Sequence, residues 1–120
     1  MKPDIKHAYF RGNLVVVGFG SIGQAMLPLL LRHFRIRPEQ IKIISATEDG
    51  AEIAATFRVP LMVRVLAEDN YLPMLEAFLN EGDFLLNLSV GVSSMALIEL
   101  CWRRGALYLD TCIEPWAGGH

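Results

Sequence analysis

The run Leu14-Val-Val-Val-Gly-Phe-Gly-Ser-Ile-Gly23 constrains this chain more than any other. A short apolar strand leads into Gly18-x-Gly20-x-x-Gly23, and a helix with periodic apolar positions follows. Strand, tight turn and helix in that order give the glycine spacing its physical meaning. Gly18 permits the sharp turn out of the strand. Gly20 carries no side chain, so a pyrophosphate can approach the backbone. Gly23 lets the helix pack closely on the strand. The N–H groups at Ser21 and Ile22, in the first helical turn, then face the phosphates, where the helix dipole favours negative charge. The segment points to dinucleotide binding at the first strand of a parallel sheet. The bland alternative is a glycine-rich turn that binds nothing.

The remaining chain repeats the alternation. Strands are predicted near 13–18, 41–45, 61–65, 84–88 and 106–110, with helices near 21–35, 48–57, 70–80 and 93–104. Residues 1–12 read as a polar lead-in. Ile22, Ala25, Met26, Leu29 and Leu30 fall at the spacing of a buried helical face. Ala51, Ala54 and Ala55 allow close packing of the second helix. Asn70 is a candidate N-cap for the third, with Pro73 in its first turn. Ser93 or Ser94 can cap the fourth, and Gly105 suits the position just past its end. The implied fold is α/β: a Rossmann-type doubly wound parallel sheet of five strands in order 3-2-1-4-5, in three αβα layers. Its ligand crevice lies outside the carboxyl ends of strands one and four.

Bulk properties narrow the functional classes. The chain has 120 residues, of which 52% are hydrophobic, enough for one domain with a real core. A net charge of -2 and scattered basic residues give no case for nucleic acid. No apolar run reaches the ~18 residues of a membrane span. The N-terminus lacks the apolar core of a signal peptide. Cys101 and Cys112 have no metal spacing and read as buried thiols, so a cytoplasmic protein without a metal site is expected. His7, His33 and His120 show no ligand or triad spacing and read as solvated surface. The chain stops a few residues past strand five. A dinucleotide fold normally has a sixth strand, and a dehydrogenase has a substrate domain. Residues 1–120 therefore read as an NAD-binding Rossmann domain, the N-terminal part of a longer enzyme.

Polar residues at strand ends mark the candidate site. Strand four ends Asn87-Leu-Ser89-Val-Gly91, and strand five runs into Asp110-Thr111-Cys-Ile-Glu114-Pro-Trp116. Both fall where the nicotinamide end of a dinucleotide would lie. Asn87 either faces that ligand or bonds a neighbouring loop. Asp110 and Thr111 bond either the strand-four loop or the cofactor. Ser93 and Ser94 read as caps rather than catalysts. Glu48 and Asp49, after strand two, either hold the adenosine ribose or occupy the first turn of the next helix. No arginine follows strand two directly, which favours NAD over NADP. A carboxylate beside an aromatic face, as in Glu114 and Trp116, suits an ammonium group through charge pairing and cation–π attraction.

Three segments together resemble the bacterial homospermidine synthases, a saccharopine dehydrogenase-like family. They are Gly18-Phe-Gly-Ser-Ile-Gly23 with Leu27-Pro-Leu-Leu-Leu-Arg-His33, Asn87-Leu-Ser-Val-Gly-Val-Ser-Ser94, and Leu107-Tyr-Leu-Asp-Thr-Cys-Ile-Glu-Pro-Trp116. The last is the most specific, because the sheet does not demand it. The resemblance spans nearly the whole chain but only the N-terminal cofactor half of such enzymes. It implies NAD-dependent oxidation of putrescine, capture of the imine by a second diamine, loss of ammonia and re-reduction by the same NADH. It implies that Glu114 and Trp116 belong to the wall holding the diamine, and that the catalytic base lies outside this chain. A homo-oligomer is expected at full length. One departure stands out: where the family's loop carries an acidic residue, this chain has Gly91. The competing readings are a stand-alone dinucleotide-sensing module and another saccharopine-type dehydrogenase.

Overall fold

The computed structural model describes residues 8–111. Seven strands run β1 (Ala8–Tyr9), β2 (Leu14–Val17), β3 (Phe34–Arg35), β4 (Ile41–Ser45), β5 (Leu61–Val63), β6 (Phe84–Asn87) and β7 (Leu107–Asp110). Four helices connect them: α1 (Ser21–His33), α2 (Ala51–Thr56), α3 (Tyr71–Glu76) and α4 (Ser94–Arg104). Five strands form one parallel sheet in the order β5-β4-β2-β6-β7. Numbered over all seven strands the order is 5-4-2-6-7, in place of the expected 3-2-1-4-5. The numbering changes because β1 and β3 form a second, two-stranded parallel sheet, with Ala8 opposite Phe34 and Tyr9 opposite Arg35. The lead-in is therefore not purely polar connection. Strands of two residues carry too little alternation to be seen in a sequence.

The sheet sorts its side chains by the two-residue period of a strand. Leu14, Val16, Ile41, Ile43 and Leu86 pack toward α1 and α2, while Val15, Val17, Ile44 and Leu85 pack toward α3 and α4. All four residues of β2 are buried, as a central strand covered on both faces requires.

Helix details depart from expectation in physically readable ways. Ile22 and Leu29 are 63% and 51% exposed, and Ala25 is exposed too. The helix instead buries Gly23 and Leu27, with Met26, Leu30 and Leu31 on the same side. Nearly every position from Ala25 to Leu31 is apolar, so periodicity could not select the face; the close seat of Gly23 on the strand does. Helix α2 starts at Ala51 rather than Glu48, because residues 48–51 form a turn in which the Ala51 N–H donates to the Glu48 carbonyl at 3.0 Å. Ala54 is buried there, but Ala55 is exposed. Helix α3 is shorter than predicted, and Asn70 does not cap it: its side chain turns back, accepting from the Ala67 N–H at 2.8 Å and donating to the Val65 carbonyl at 2.9 Å. Strand β5 ends at Val63, two residues early. The ends of α4 are as expected. Ser93 Oγ accepts the Ala96 N–H at 3.2 Å, and Gly105 takes the left-handed conformation at φ 73°.

Two polar staples, one buried and one half-buried, hold the edge of the sheet opposite the carboxyl ends. Asp83, 3% exposed, accepts backbone N–H bonds from Asn13 and Asn80, both at 2.9 Å. Gln40 Nε2 donates to the carbonyls of Phe10 and Gly12 at 3.0 and 2.7 Å. Together they tie the strand entries to the preceding chain, so the carboxyl ends open from a fixed base. Among the described residues, no helix is long and apolar enough to cross a membrane.

Candidate dinucleotide-binding site

Ile44, Val17, Asn87 and Asp110 lie in one row across the sheet. The loops after β2, β4, β6 and β7 therefore emerge along the same edge, at the point where the chain direction reverses about β2. That is the ligand position of a doubly wound sheet.

The three fingerprint glycines have three different environments. Gly18 adopts φ 93°, and a Cβ there would lie 2.7 Å from the backbone nitrogen of Ser89 and 2.9 Å from its Cα. The β2–α1 turn and the β6–α4 loop are thus pressed together at a contact only glycine allows. A Cβ on Gly23 would lie 2.9 Å from the Phe19 ring and 3.3 Å from Leu88 Cδ1, so its absence seats α1 on the sheet. Around a Cβ on Gly20 nothing lies within 4 Å. Gly20 is the N-cap of α1 and supplies no side-chain cap to it. The N–H groups of Ser21, Ile22 and Gly23 stand in the first turn, where a helix has no internal acceptors. The result is an open concavity with backbone donors and the positive end of a 13-residue helix dipole.

The neighbouring strand ends are built from side chains. Asn87 is fully buried at the end of β6. Its Oδ1 accepts from Ser89 twice, from the backbone N–H at 3.1 Å and from Oγ at 2.7 Å. Its Nδ2 donates to Tyr108 Oη at 3.2 Å, and Tyr108 donates in turn to Asp110 Oδ2 at 2.8 Å. The Thr111 N–H reaches the Asn87 carbonyl at 3.3 Å. The Asn87 side chain thus holds the β6–α4 loop at Ser89 and its carbonyl holds Thr111, while Asp110 engages Tyr108 of its own strand. Burial, opposed by the Asn87 donation and reinforced by Asp110, pushes the Tyr108 phenol above its usual range. Tyr108 was not singled out in the sequence. The available signal was its two-residue offset from Asp110, which puts both side chains on one face of β7.

Glu48 and Asp49 are exposed in the loop that follows β4, ahead of α2 rather than inside its first turn. The loop is shaped locally: Ser45 Oγ accepts the Thr47 N–H at 3.4 Å and Thr47 Oγ1 accepts the Asp49 N–H at 3.2 Å. Gly91 has open space around it, so an acidic side chain would fit there and its absence is not forced by packing. Ser94 sits in the first turn of α4, buried, and Ser93 is a cap. His33 is half-buried at the end of α1, not fully solvated. Cys101 is a buried free thiol pushed up to about 11 by burial, which makes it a poor nucleophile at neutral pH. No group of three or more metal-binding side chains occurs among the described residues. Cys112, Glu114, Trp116, His7 and His120 lie outside the described residues.

Residues 14–117 match the model of the saccharopine dehydrogenase NADP binding domain. The chain belongs to that family. It is 38% identical over 110 residues to a homospermidine synthase of Blastochloris viridis, and 34% identical over 110 residues to one of Mesorhizobium japonicum. Each alignment covers 89% of this chain and 23% of the relative, so the chain spans about a quarter of their length. A crystal structure of the homospermidine synthase of Legionella pneumophila in complex with NAD superposes with a TM-score of 0.90 at 36% identity, covering 99% of this chain and 26% of that one. The family's dinucleotide is chemically compatible with the crevice: the Gly20 concavity, the uncapped start of α1 and the acidic loop after β4 suit a pyrophosphate and a ribose diol.

Proposed function

We propose that this chain is the NAD-binding part of a homospermidine synthase, an enzyme that forms homospermidine from putrescine. The observation that carries the binding assignment is the Gly20 concavity, open at the start of α1 while Gly18 and Gly23 on either side are tightly packed. The 34–38% identity to homospermidine synthases supports the enzyme assignment, and neither a sensing module nor another saccharopine-type dehydrogenase is favoured by these relatives.

In this reading Gly18, Gly20, Ser21, Ile22 and Gly23 hold the pyrophosphate. Glu48 takes the adenosine ribose. Ser89 and Thr111, both held by Asn87, and Asp110 border the nicotinamide end. When bound, the dinucleotide supplies a hydride acceptor and, after it, a hydride donor. Glu114 and Trp116, which follow β7, form part of the wall that orients the diamine, the carboxylate pairing with an ammonium and the indole face attracting it.

The domain is named for NADP in its family model, whereas the Legionella structure contains NAD. Two carboxylates in the loop after β4, and no arginine between Ser45 and Arg58, oppose a 2′-phosphate. Calorimetry should give at least about tenfold tighter binding of NAD+ than NADP+; the reverse order rejects the ribose assignment. In a chain that carries the substrate half, Glu114→Gln should lower kcat/KM for putrescine by about ten- to a hundredfold, with NAD affinity unchanged. That is the scale of one charge-assisted hydrogen bond, about 1.5–3 kcal/mol. Unchanged diamine kinetics would remove Glu114 from the substrate wall.

A further inference from the structure

Among the described residues, the α1 face of the sheet is covered as far as Leu86 of β6 but open along β7. Along β7, Tyr108 turns toward the α3–α4 core, while Leu107 and Leu109 point the other way and are 58% and 55% exposed. With Leu86, Leu14 and, from α1, Met26 and Leu30, they line an apolar trough of about 400 Å³ without a charged group in its walls. Two exposed leucines side by side on a strand that lips an apolar concavity are a surface for another apolar segment to cover.

The topology says what kind of segment can cover it. Successive crossovers outward from β2 to β4 and β5 place α1 and α2 on this face. The chain then reverses direction, and the right-handed crossovers into β6 and β7 place α3 and α4 on the other face. A further strand added beyond β7 by the same handedness would bring its helix to the α4 side as well. Further crossovers of the same hand therefore leave the trough open, and a helix that covers it must come from a non-local part of the polypeptide. The relatives are about four times as long as this chain, since it spans 23% of each.

We propose that the trough is the docking surface for a distant apolar segment of the remaining three-quarters of a homospermidine synthase polypeptide, whether joined to this chain or produced beside it. The proposal rests on the functional reading above. The occupying segment presents aliphatic or aromatic side chains to Leu107 and Leu109, and its docking fixes β7, whose carboxyl end borders the crevice. Assembly of the substrate half and order at the nicotinamide end are thereby linked.

The test uses Leu109→Cys as a reporter. Maleimide labelling of this thiol, located by peptide mass spectrometry, is timed in the 120-residue chain. It is timed again in a chimera where this chain replaces the matching first quarter of the Blastochloris viridis enzyme. Labelling should be at least tenfold slower in the chimera, while Glu52→Cys, on exposed α2 surface, labels equally in both. Equal rates at Leu109→Cys overturn the proposal. Protection that already appears in the short chain and deepens with its concentration overturns it in favour of a second copy. Protection there by a small apolar dye at equimolar ratio overturns it in favour of a small-molecule site.

Homospermidine formation by the chimera is scored separately. An active chimera with an open Leu109→Cys rejects the docking surface alone, and an inactive chimera with a protected one rejects the functional reading alone. Should the chimera not fold, the two pieces are co-expressed with separate tags. They should co-purify, and Leu107→Lys with Leu109→Lys should abolish co-purification without lowering the Tm of the short chain. Failure of the unaltered pieces to co-purify overturns the proposal.

Discussion

The two halves of the crevice are built by opposite means. Around the β2–α1 turn the site exists because side chains are missing: Gly18 and Gly23 let backbone and helix close up, and Gly20 leaves space at the start of α1. At the ends of β6 and β7 the site exists because side chains interlock, in the run Ser89–Asn87–Tyr108–Asp110. The first half offers backbone donors to a ligand. The second consumes its donors and acceptors internally and presents loops held at fixed places. A ligand that spans both meets an anion cradle at one end and a rigid polar rim at the other.

The contact where the halves touch should be the most sensitive point. Gly18→Val places a branched side chain at φ 93°, 2.7 Å from the Ser89 nitrogen. Left-handed strain of about 1–2 kcal/mol adds to overpacking of about 1–3 kcal/mol. The melt should therefore show a loss of about 2–5 kcal/mol, with NAD affinity lost as well. A variant that melts like the parent would mean that the two loops are not in register contact, and the comparison would fail at its joint.

Gly20→Val separates binding from folding. Its φ of -83° suits any residue, and no atom lies within 4 Å of the new Cβ. The Tm should fall by only a few degrees, the cost of valine in place of glycine at the N-cap, while NAD affinity falls about a hundredfold or more, because the side chain fills the phosphate's approach. Full NAD affinity in a folded Gly20→Val protein would break the assignment of the first half. The pair of glycine variants, identical in chemistry and two residues apart, thus reads packing at one position and ligand space at the other.

This asymmetry also explains what the sequence could disclose. A turn made by missing side chains leaves a fixed glycine spacing after an apolar strand, so the backbone geometry of the first half was legible at each glycine. The caps of α4 were legible for the same reason: Ser93 and Gly105 each meet a local backbone need. The second half depends on Asn87 and Tyr108, which are 21 residues apart and meet only through the β6–β7 register. Nothing local in either residue announces the other. The buried face of α1 was misread because an almost uniformly apolar helix offers several stripes of equal quality. Asn70 holds the N-cap position as expected but spends its side chain on the preceding loop, which an Asn before a helix can satisfy as readily as the helix. The strand pair β1–β3 was invisible at two residues each.

The smallest expected effect tests whether the second half is a positioning network. Tyr108→Phe removes the phenol that receives from Asn87 and donates to Asp110 but keeps the ring that packs on the α3–α4 core. At neutral pH the loss of stability should be about 1 kcal/mol, with a much smaller change in NAD affinity than Gly20→Val causes. The pH dependence sharpens this. Burial raises the folded-state phenol above its unfolded value of about 10, so its protonated form is favoured by folding. That contribution is complete below about pH 10 and is lost as pH rises beyond it. Cys101, pushed up to about 11 in the fold, contributes a decline of the same sign that begins lower, near the unfolded thiol value of about 8.5. Stability curves of the parent and Tyr108→Phe should therefore fall in parallel from about pH 8.5, and close up above about pH 10, where the parent falls more steeply. Parallel curves throughout would mean that the phenol is not desolvated in the fold. The second half would then be a solvated rim like the loop after β4, and the contrast between the two halves would disappear.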